Sequence, residues 1–140
     1  MPKKIPLLLL AALLGTALPA HAQPSCRDVN PPPTDSDGYD SHRLCRYPQT
    51  TLNAAYRAWR AEMQGSMRVS REAVDTHWLL PNLPARSRTI PVGAAGLVDI
   101  SYRIAPNRAE VVMTYEGGVS TYRFRPRRGY VELHQITSPD

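Results

Sequence analysis

Beyond Lys4 the sequence contains no lysine. Every other permanent cation is an arginine, and Lys3 and Lys4 stand just ahead of the apolar run Ile5 to Leu18. The whole chain carries 17 Lys and Arg against 12 Asp and Glu, a formal net charge of +5. Without the two lysines, the 15 arginines exceed the 12 acids by only three. So small a surplus is a weak electrostatic footprint for nucleic acid.

A second long apolar run is also absent, and the first is shorter than the ~20 residues that a spanning helix needs. Two lysines, an apolar run and Ala20-His21-Ala22 have the layout of a bacterial secretory signal peptide. The expectation is residues 1–22 as signal peptide, cleavage after Ala22, and a periplasmic or secreted chain from Gln23 with no membrane span. Lipidation at Cys26 is excluded by Gln23, Pro24 and Ser25, which put no leucine-like residue three places before the cysteine.

Enzyme signatures are missing as well. G-x-S-x-G, H-E-x-x-H and a glycine-rich phosphate loop leading into a helix do not occur. Gly93 and Gly96 in "PVGAAG" read as a loop before a strand. C-x-x-C is absent, which excludes the usual redox pair. No internal repeat is visible.

The chain has two cysteines, Cys26 and Cys45. In an exported protein an even count points to a disulfide. Closing this loop contributes roughly 3 kcal/mol by chain entropy. The segment between them is poor in aliphatic side chains, Val29 and Leu44 only, so burial alone would not hold it. Zinc needs further ligands and only His42 stands near. "TDSDGYDS" looks like a calcium loop, but placing Gly38 at the loop's glycine puts Pro33 and Leu44 at its two anchoring ligand positions. Asp35, Asp37 and Asp40 therefore read as a solvated acidic turn. No metal and no cofactor is expected.

Residues 23–48 read as an irregular N-terminal arm, with Pro31-Pro32-Pro33 favouring extended geometry. Residues 49–140 read as a single domain. Leu52, Tyr56, Trp59 and Met63 make one helical stripe, with Thr50 or Thr51 as N-cap and Gly65 at the end. A short second helix is expected from Ser70, with Glu72 in its first turn, Val74, His77 and Trp78 on one face, and Pro81 and Pro84 as stops. His77 reads as a packed or surface histidine.

Four runs of period 2 follow, Leu97 to Ile104, Ala109 to Glu116, Val119 to Arg125 and Tyr130 to Thr137. Gly117-Gly118 as a two-residue turn sets Met113 opposite Tyr122 and Val111 opposite Phe124. A Pro106-Asn107 turn sets Ile100 opposite Met113 and Tyr102 opposite Val111. A four-residue last loop sets Val131 opposite Phe124 and Leu133 opposite Tyr122. All three give one apolar face, Val98, Ile100, Tyr102, Val111, Met113, Tyr115, Tyr122, Phe124, Val131 and Leu133. A fifth strand at Thr89 to Val92 is kept to an edge by Pro91. The fold class is α+β: one long and one short helix packed on a four-, at most five-stranded antiparallel meander, behind a disulfide-stapled irregular arm.

The opposite face is polar. These registers align Arg103, Glu110 and Arg125 beside Tyr130, set Arg123 opposite Glu132, and form a row of Asp99, Thr114, Thr121 and His134. Cross-strand pairs on a solvated face account for it. A carboxylate, an imidazole and a guanidinium in Glu132, His134 and Arg123 would also suit phosphoryl transfer as acid, base and charge stabiliser. Helices followed by an antiparallel sheet resemble, in element order alone, the small secreted microbial ribonucleases, and equally the cystatin-like sheets that cradle one helix. No local motif carries either resemblance, so no residue role comes with it.

Three functions stay open. The expectation is a small non-enzymatic binding protein that contacts another protein of the cell envelope, as an inhibitor, immunity protein or envelope accessory does. The alternatives are a ribonuclease-like phosphodiesterase and a small-ligand carrier with Tyr56, Trp59, Tyr102 and Tyr122 lining its pocket.

Overall fold

The computed structural model describes residues 23–29, 40–49, 51–67 and 78–139. The signal-peptide stretch, the proline and aspartate run at 31–38 and the expected second helix from Ser70 to His77 lie outside them.

Seven strands form one antiparallel sheet. They are β1 Ser25–Asp28, β2 Ser41–Tyr47, β3 Arg88–Ala94, β4 Leu97–Ala105, β5 Arg108–Tyr115, β6 Gly118–Arg127 and β7 Tyr130–Pro139, in the order β1-β2-β7-β6-β5-β4-β3. Among the described residues there is one helix, α1 (Leu52–Met67), which falls between β2 and β3 in the chain. This corrects the expected architecture of two helices on four or five strands. The meander is there as β3 to β7, and β3 is the edge strand that Pro91 marks. The arm, however, is not irregular. Its two described stretches are strands, joined face to face by Cys26 opposite Cys45, which form the disulfide.

The arm is drawn in because β2 has two inward positions worth burying. Cys45 and Tyr47 are buried completely, while Arg43 and Arg46 stay in water. Pairing β2 with β7 covers the meander's last edge, so its N–H and C=O groups find partners. Tyr47 also donates a 2.7 Å hydrogen bond to Glu62 Oε2 on α1. Burial, then that carboxylate, pushes the Tyr47 hydroxyl pKa above its ordinary value.

α1 starts as expected. Thr51 Oγ1 accepts from Ala54 N and Thr51 O accepts from Ala55 N, which makes Thr51 the N-cap. Gly65 does not end the helix, which continues to Met67. Tyr56 and Trp59 of the stripe are buried, and Leu52 and Met63 pack at its margin.

The inner face of the sheet meets these rings. Trp59 lies 4.5 Å from the Tyr122 ring centroid and 5.7 Å from Phe124, and Tyr56 lies 6.2 Å from both Tyr102 and Phe124. Tyr56, Trp59, Tyr102 and Tyr122 thus occupy the space between the layers as packed rings. The chain at 79–83 closes over them. Leu80 N donates to Tyr102 Oη (2.9 Å), Tyr56 Oη donates to Leu80 O (2.6 Å), and Leu83 N donates to Asn53 Oδ1 (2.9 Å). Buried loop backbone needs such partners, and two core tyrosines supply them.

The expected registers are right in parity and wrong in two places by two residues. Ile100 does oppose Met113 and Tyr102 does oppose Val111. Between β5 and β6 the turn is Glu116-Gly117, so Val111 opposes Tyr122 and Ala109 opposes Phe124. Between β6 and β7 the turn is the two-residue Arg128-Gly129, with Gly129 at φ 85°, so Phe124 opposes Leu133. A shift of two leaves every side chain on its face. Gly118 is therefore a strand residue. It is glycine because a Cβ there would run into the carbonyl of Ser138 on β7. Val98 is the exception on the apolar face. A bulge between Leu97 and Asp99 buries Leu97 and leaves Val98 43% exposed.

Candidate functional site

Residues directly opposite one another in a sheet share a face. On the outer face one row reads Arg27, Leu44, His134, Arg123, Glu110, Arg103 across β1, β2, β7, β6, β5 and β4. A second reads Ser25, Arg46, Glu132, Arg125, with Arg108 of β5 beyond, opposite Ala105. Arg127 opposite Tyr130 closes that end. Toward the β5–β6 turn the rows change character. They hold His42, Ile136, Thr121, Val112, Ser101 and Thr89, then Ser138, Val119, Thr114, Asp99 and Pro91, with no arginine among them.

Glu110 is the fixed point. Its side chain is 8% exposed, with Oε1 2.8 Å from Arg103 Nη1 and Oε2 2.8 Å from Arg123 Nε. Burial alone would raise its pKa, but the hydrogen bonds and charges of Arg123, then Arg103, outweigh that and hold it below the usual carboxylate value. The expected trio of Arg103, Glu110 and Arg125 is thus corrected in its last member. Arg123 stands there because β5 pairs with β6 two residues away from the expected register.

The same shift rearranges the rest. Arg123 opposes His134, not Glu132, and Arg125 opposes Glu132. Glu132 accepts a 3.0 Å ion pair from Arg127. Asp99 does oppose Thr114, but Thr121 opposes Val112 and Ile136, and His134 lies a row away. Those four residues therefore form no common row.

His134 has a neighbour that the sequence did not reveal. His42 Nδ1 lies 3.1 Å from His134 Nε2, with ring centroids 5.3 Å apart. His42 is 8% exposed, and its buried Nε2 has no hydrogen-bond partner among the described residues. The His134 pKa is lowered, first by burial and then by His42 and Arg123, with Glu132 acting the other way. The four charged or ionisable groups acting on it come from three strands: His42 from β2, Arg123 and Arg125 from β6, Glu132 from β7.

Chemically, the three side chains suited to phosphoryl transfer are engaged with other groups. His134 Nε2 faces His42, Arg123 Nε donates to Glu110, and Glu132 accepts from Arg127. Among the described residues no group of three or more His, Cys, Asp or Glu converges as a metal would require.

Two of the hollows formed by the described residues bear on the site. One, of about 270 Å³, lies on the outer side of the β1–β2 edge and is lined by Ser25, Cys26, Arg27, Leu44, Cys45, Arg46 and Glu132. The other, of about 590 Å³, runs between the start of the described chain and α1, lined by Gln23, Tyr47, Gln49, Arg57, Ala58 and Glu62 among others. Neither touches the four rings expected to line a carrier pocket. Sequence reading missed Arg27, Arg46, Arg108, Arg127 and His42 as members of the polar face. For His42 and Arg46 the available signal was the run "SHRLCRY", and the strand it forms was read as an arm.

No protein family, no curated protein and no solved structure matches the chain.

Proposed function

We propose that this is a small exported, non-enzymatic protein that binds another protein of the cell envelope through the outer face of its sheet, in the manner of an inhibitor, immunity protein or envelope accessory. The observation that carries this is the Arg103–Glu110–Arg123 triad. Its two 2.8 Å ion pairs span three adjacent strands and hold two guanidiniums in place on an open face. Guanidiniums ordered before contact lose less entropy when a partner arrives. A general acid–base site would instead need an imidazole or carboxylate free to exchange protons with a substrate, and His134 and Glu132 are turned to protein partners. Export is supported by the signal-like pattern of residues 1–22 and by a disulfide within the sheet.

Two experiments run side by side test this. Purified protein from Gln23 is incubated with RNA, DNA and chromogenic phosphodiesters, beside His134→Ala and Glu132→Ala. Pull-down from an envelope extract is run with the same material. The expected result is no turnover and a specific protein partner. Turnover that drops at least ~10²-fold in either variant, the scale of general acid–base groups, would establish the hydrolase instead.

A further inference from the structure

Arginine is unevenly spread over the outer face. The rows nearest the β4–β5 and β6–β7 turns carry Arg27, Arg46, Arg103, Arg108, Arg123, Arg125 and Arg127 against two carboxylates, Glu110 and Glu132. The remaining rows carry Asp99 and no arginine. One half of the face therefore concentrates seven arginines against two carboxylates, and the imbalance arises from topology. Arg27 and Arg46 lie 77 to 100 residues from the β6 arginines in sequence and join them only because β2 closes on β7.

Three of these cations already have carboxylate partners, since Glu110 takes Arg103 and Arg123 and Glu132 takes Arg127. Arg46 packs over the Tyr130 ring at 5.0 Å and is exposed. Arg27, Arg108 and Arg125 are exposed and make no ion pair among the described residues. The basic half also contains a receptacle. The 270 Å³ hollow is lined by Arg27 and Arg46, with Glu132 on its wall.

We propose that this basic half, centred on the hollow between Arg27 and Arg46 and extended by Arg125 and Arg108, is the docking surface for an acidic polypeptide segment of the partner protein. The proposal rests on the reading of the chain as a protein-binding module and specifies its partner's chemistry. Guanidiniums recognise carboxylates through paired, planar hydrogen bonds. A glutamate or aspartate entering the hollow meets two of them. Glu132 argues for a polypeptide rather than a phosphate polymer. A peptide segment brings backbone N–H donors for the Glu132 oxygen that Arg127 does not hold, whereas phosphodiester oxygens beside it would only repel. Interleaving Glu110 and Glu132 with the arginines also breaks any continuous cationic track that a nucleic-acid backbone would follow.

The test uses protein from Gln23 and a fluorescently labelled glutamate-rich peptide, read by anisotropy at low and physiological salt. Arg46→Glu/Arg125→Glu is compared with Arg57→Glu/Arg86→Glu, which makes the same change in net charge at exposed positions of α1 and the 79–87 loop. The expected result is peptide binding that weakens with salt, falls at least ~10-fold in the first variant and less than ~3-fold in the second, the contrast between a contact site and overall charge. Far-ultraviolet circular dichroism checks folding, and Arg46→Gln/Arg125→Gln replaces the reversed pair if it misfolds, with a loss in the same direction. Equal losses in the two double variants, or no peptide binding, overturn the proposal. So does competition by a single-stranded oligonucleotide of equal charge, or by anionic vesicles, at lower concentration than by unlabelled peptide. The envelope pull-down separates the two levels. A partner retained by Arg46→Glu/Arg125→Glu leaves the binding reading standing and sinks this surface, whereas turnover on phosphodiesters sinks the binding reading itself.

Discussion

Glu110 and His134 sit one strand apart on the outer face, and acid should weaken both. Glu110 has a folded-state pKa below its ordinary value because Arg123 and Arg103 favour its charged form over the opposing effect of burial. Its contribution is therefore complete above the ordinary glutamate range and disappears as pH falls through the lowered value. His134 is also lowered, by burial first and then by the cations around it. The folded protein binds that proton less readily than the unfolded chain, so stability is kept above the ordinary histidine value of 6.5 and declines as pH drops below it. Urea midpoints measured from neutral pH downward should fall in two stages. His134→Gln should remove the first stage, and Glu110→Gln the second. Glu110→Gln should also cost about 1–3 kcal/mol at neutral pH, because two charge-assisted hydrogen bonds are lost. A midpoint unchanged between pH 7 and the carboxylate range would refute the histidine part.

At the scale of elements, faces were legible and registers were not. Alternation of large apolar residues such as Ile100, Tyr102, Val111, Met113 and Phe124 fixes which side of each strand is buried, and all five are buried. It does not tell a register from one slipped by two, since both bury the same residues. Gly117-Gly118 looked like a turn for that reason, and the strand approach at Ser138 that explains Gly118 is not a local property. Two comparisons check this. Phe124→Ala should cost about 3–5 kcal/mol as a large ring lost from the core, and its neighbour Arg125→Ala under about 1 kcal/mol. Equal losses would mean that the faces are misassigned. Gly118→Ala should destabilise by about 1–3 kcal/mol through overpacking, whereas Gly117→Ala meets no atom within 4 Å and should be nearly neutral. The opposite ranking would restore Gly117-Gly118 as the turn. The candidate site shared this fate. Glu110 and Arg103 were paired correctly from one well-placed turn, while Arg123, Arg125, His134 and Glu132 were mispaired because each depended on a slipped one.

At the scale of the whole molecule, the decisive contact is the one furthest apart in sequence. β2 and β7 pair over seven residues, Ser41 with Thr137 through Tyr47 with Val131. Local periodicity offers no sign of it, and the polar, proline-rich stretch around β2 reads as an arm on composition alone. The disulfide was legible, and its structural consequence was not. It joins β1 to β2 rather than tethering a loose arm, so two strands on one side of the sheet depend on it unequally. β1 has four residues and, among the described strands, pairs only with β2. β2 has its own ladder to β7 and two buried side chains. Removing the bridge should therefore lower global stability by roughly 3 kcal/mol through the freed loop and release β1 first. In hydrogen exchange of Cys26→Ser/Cys45→Ser, amides of Ser25–Asp28 should lose protection nearly completely. Those of Val111 to Met113 should fall only by the global loss, since their exchange requires the core to open. The same pattern should follow reduction of the wild-type protein, whose oxidised mass should lie two hydrogens below that of its reduced form. If β1 stays as protected as β5 without the bridge, its ladder to β2 is self-sufficient. The hollow lined by Arg27 and Arg46 would then be held by strand pairing rather than by the disulfide.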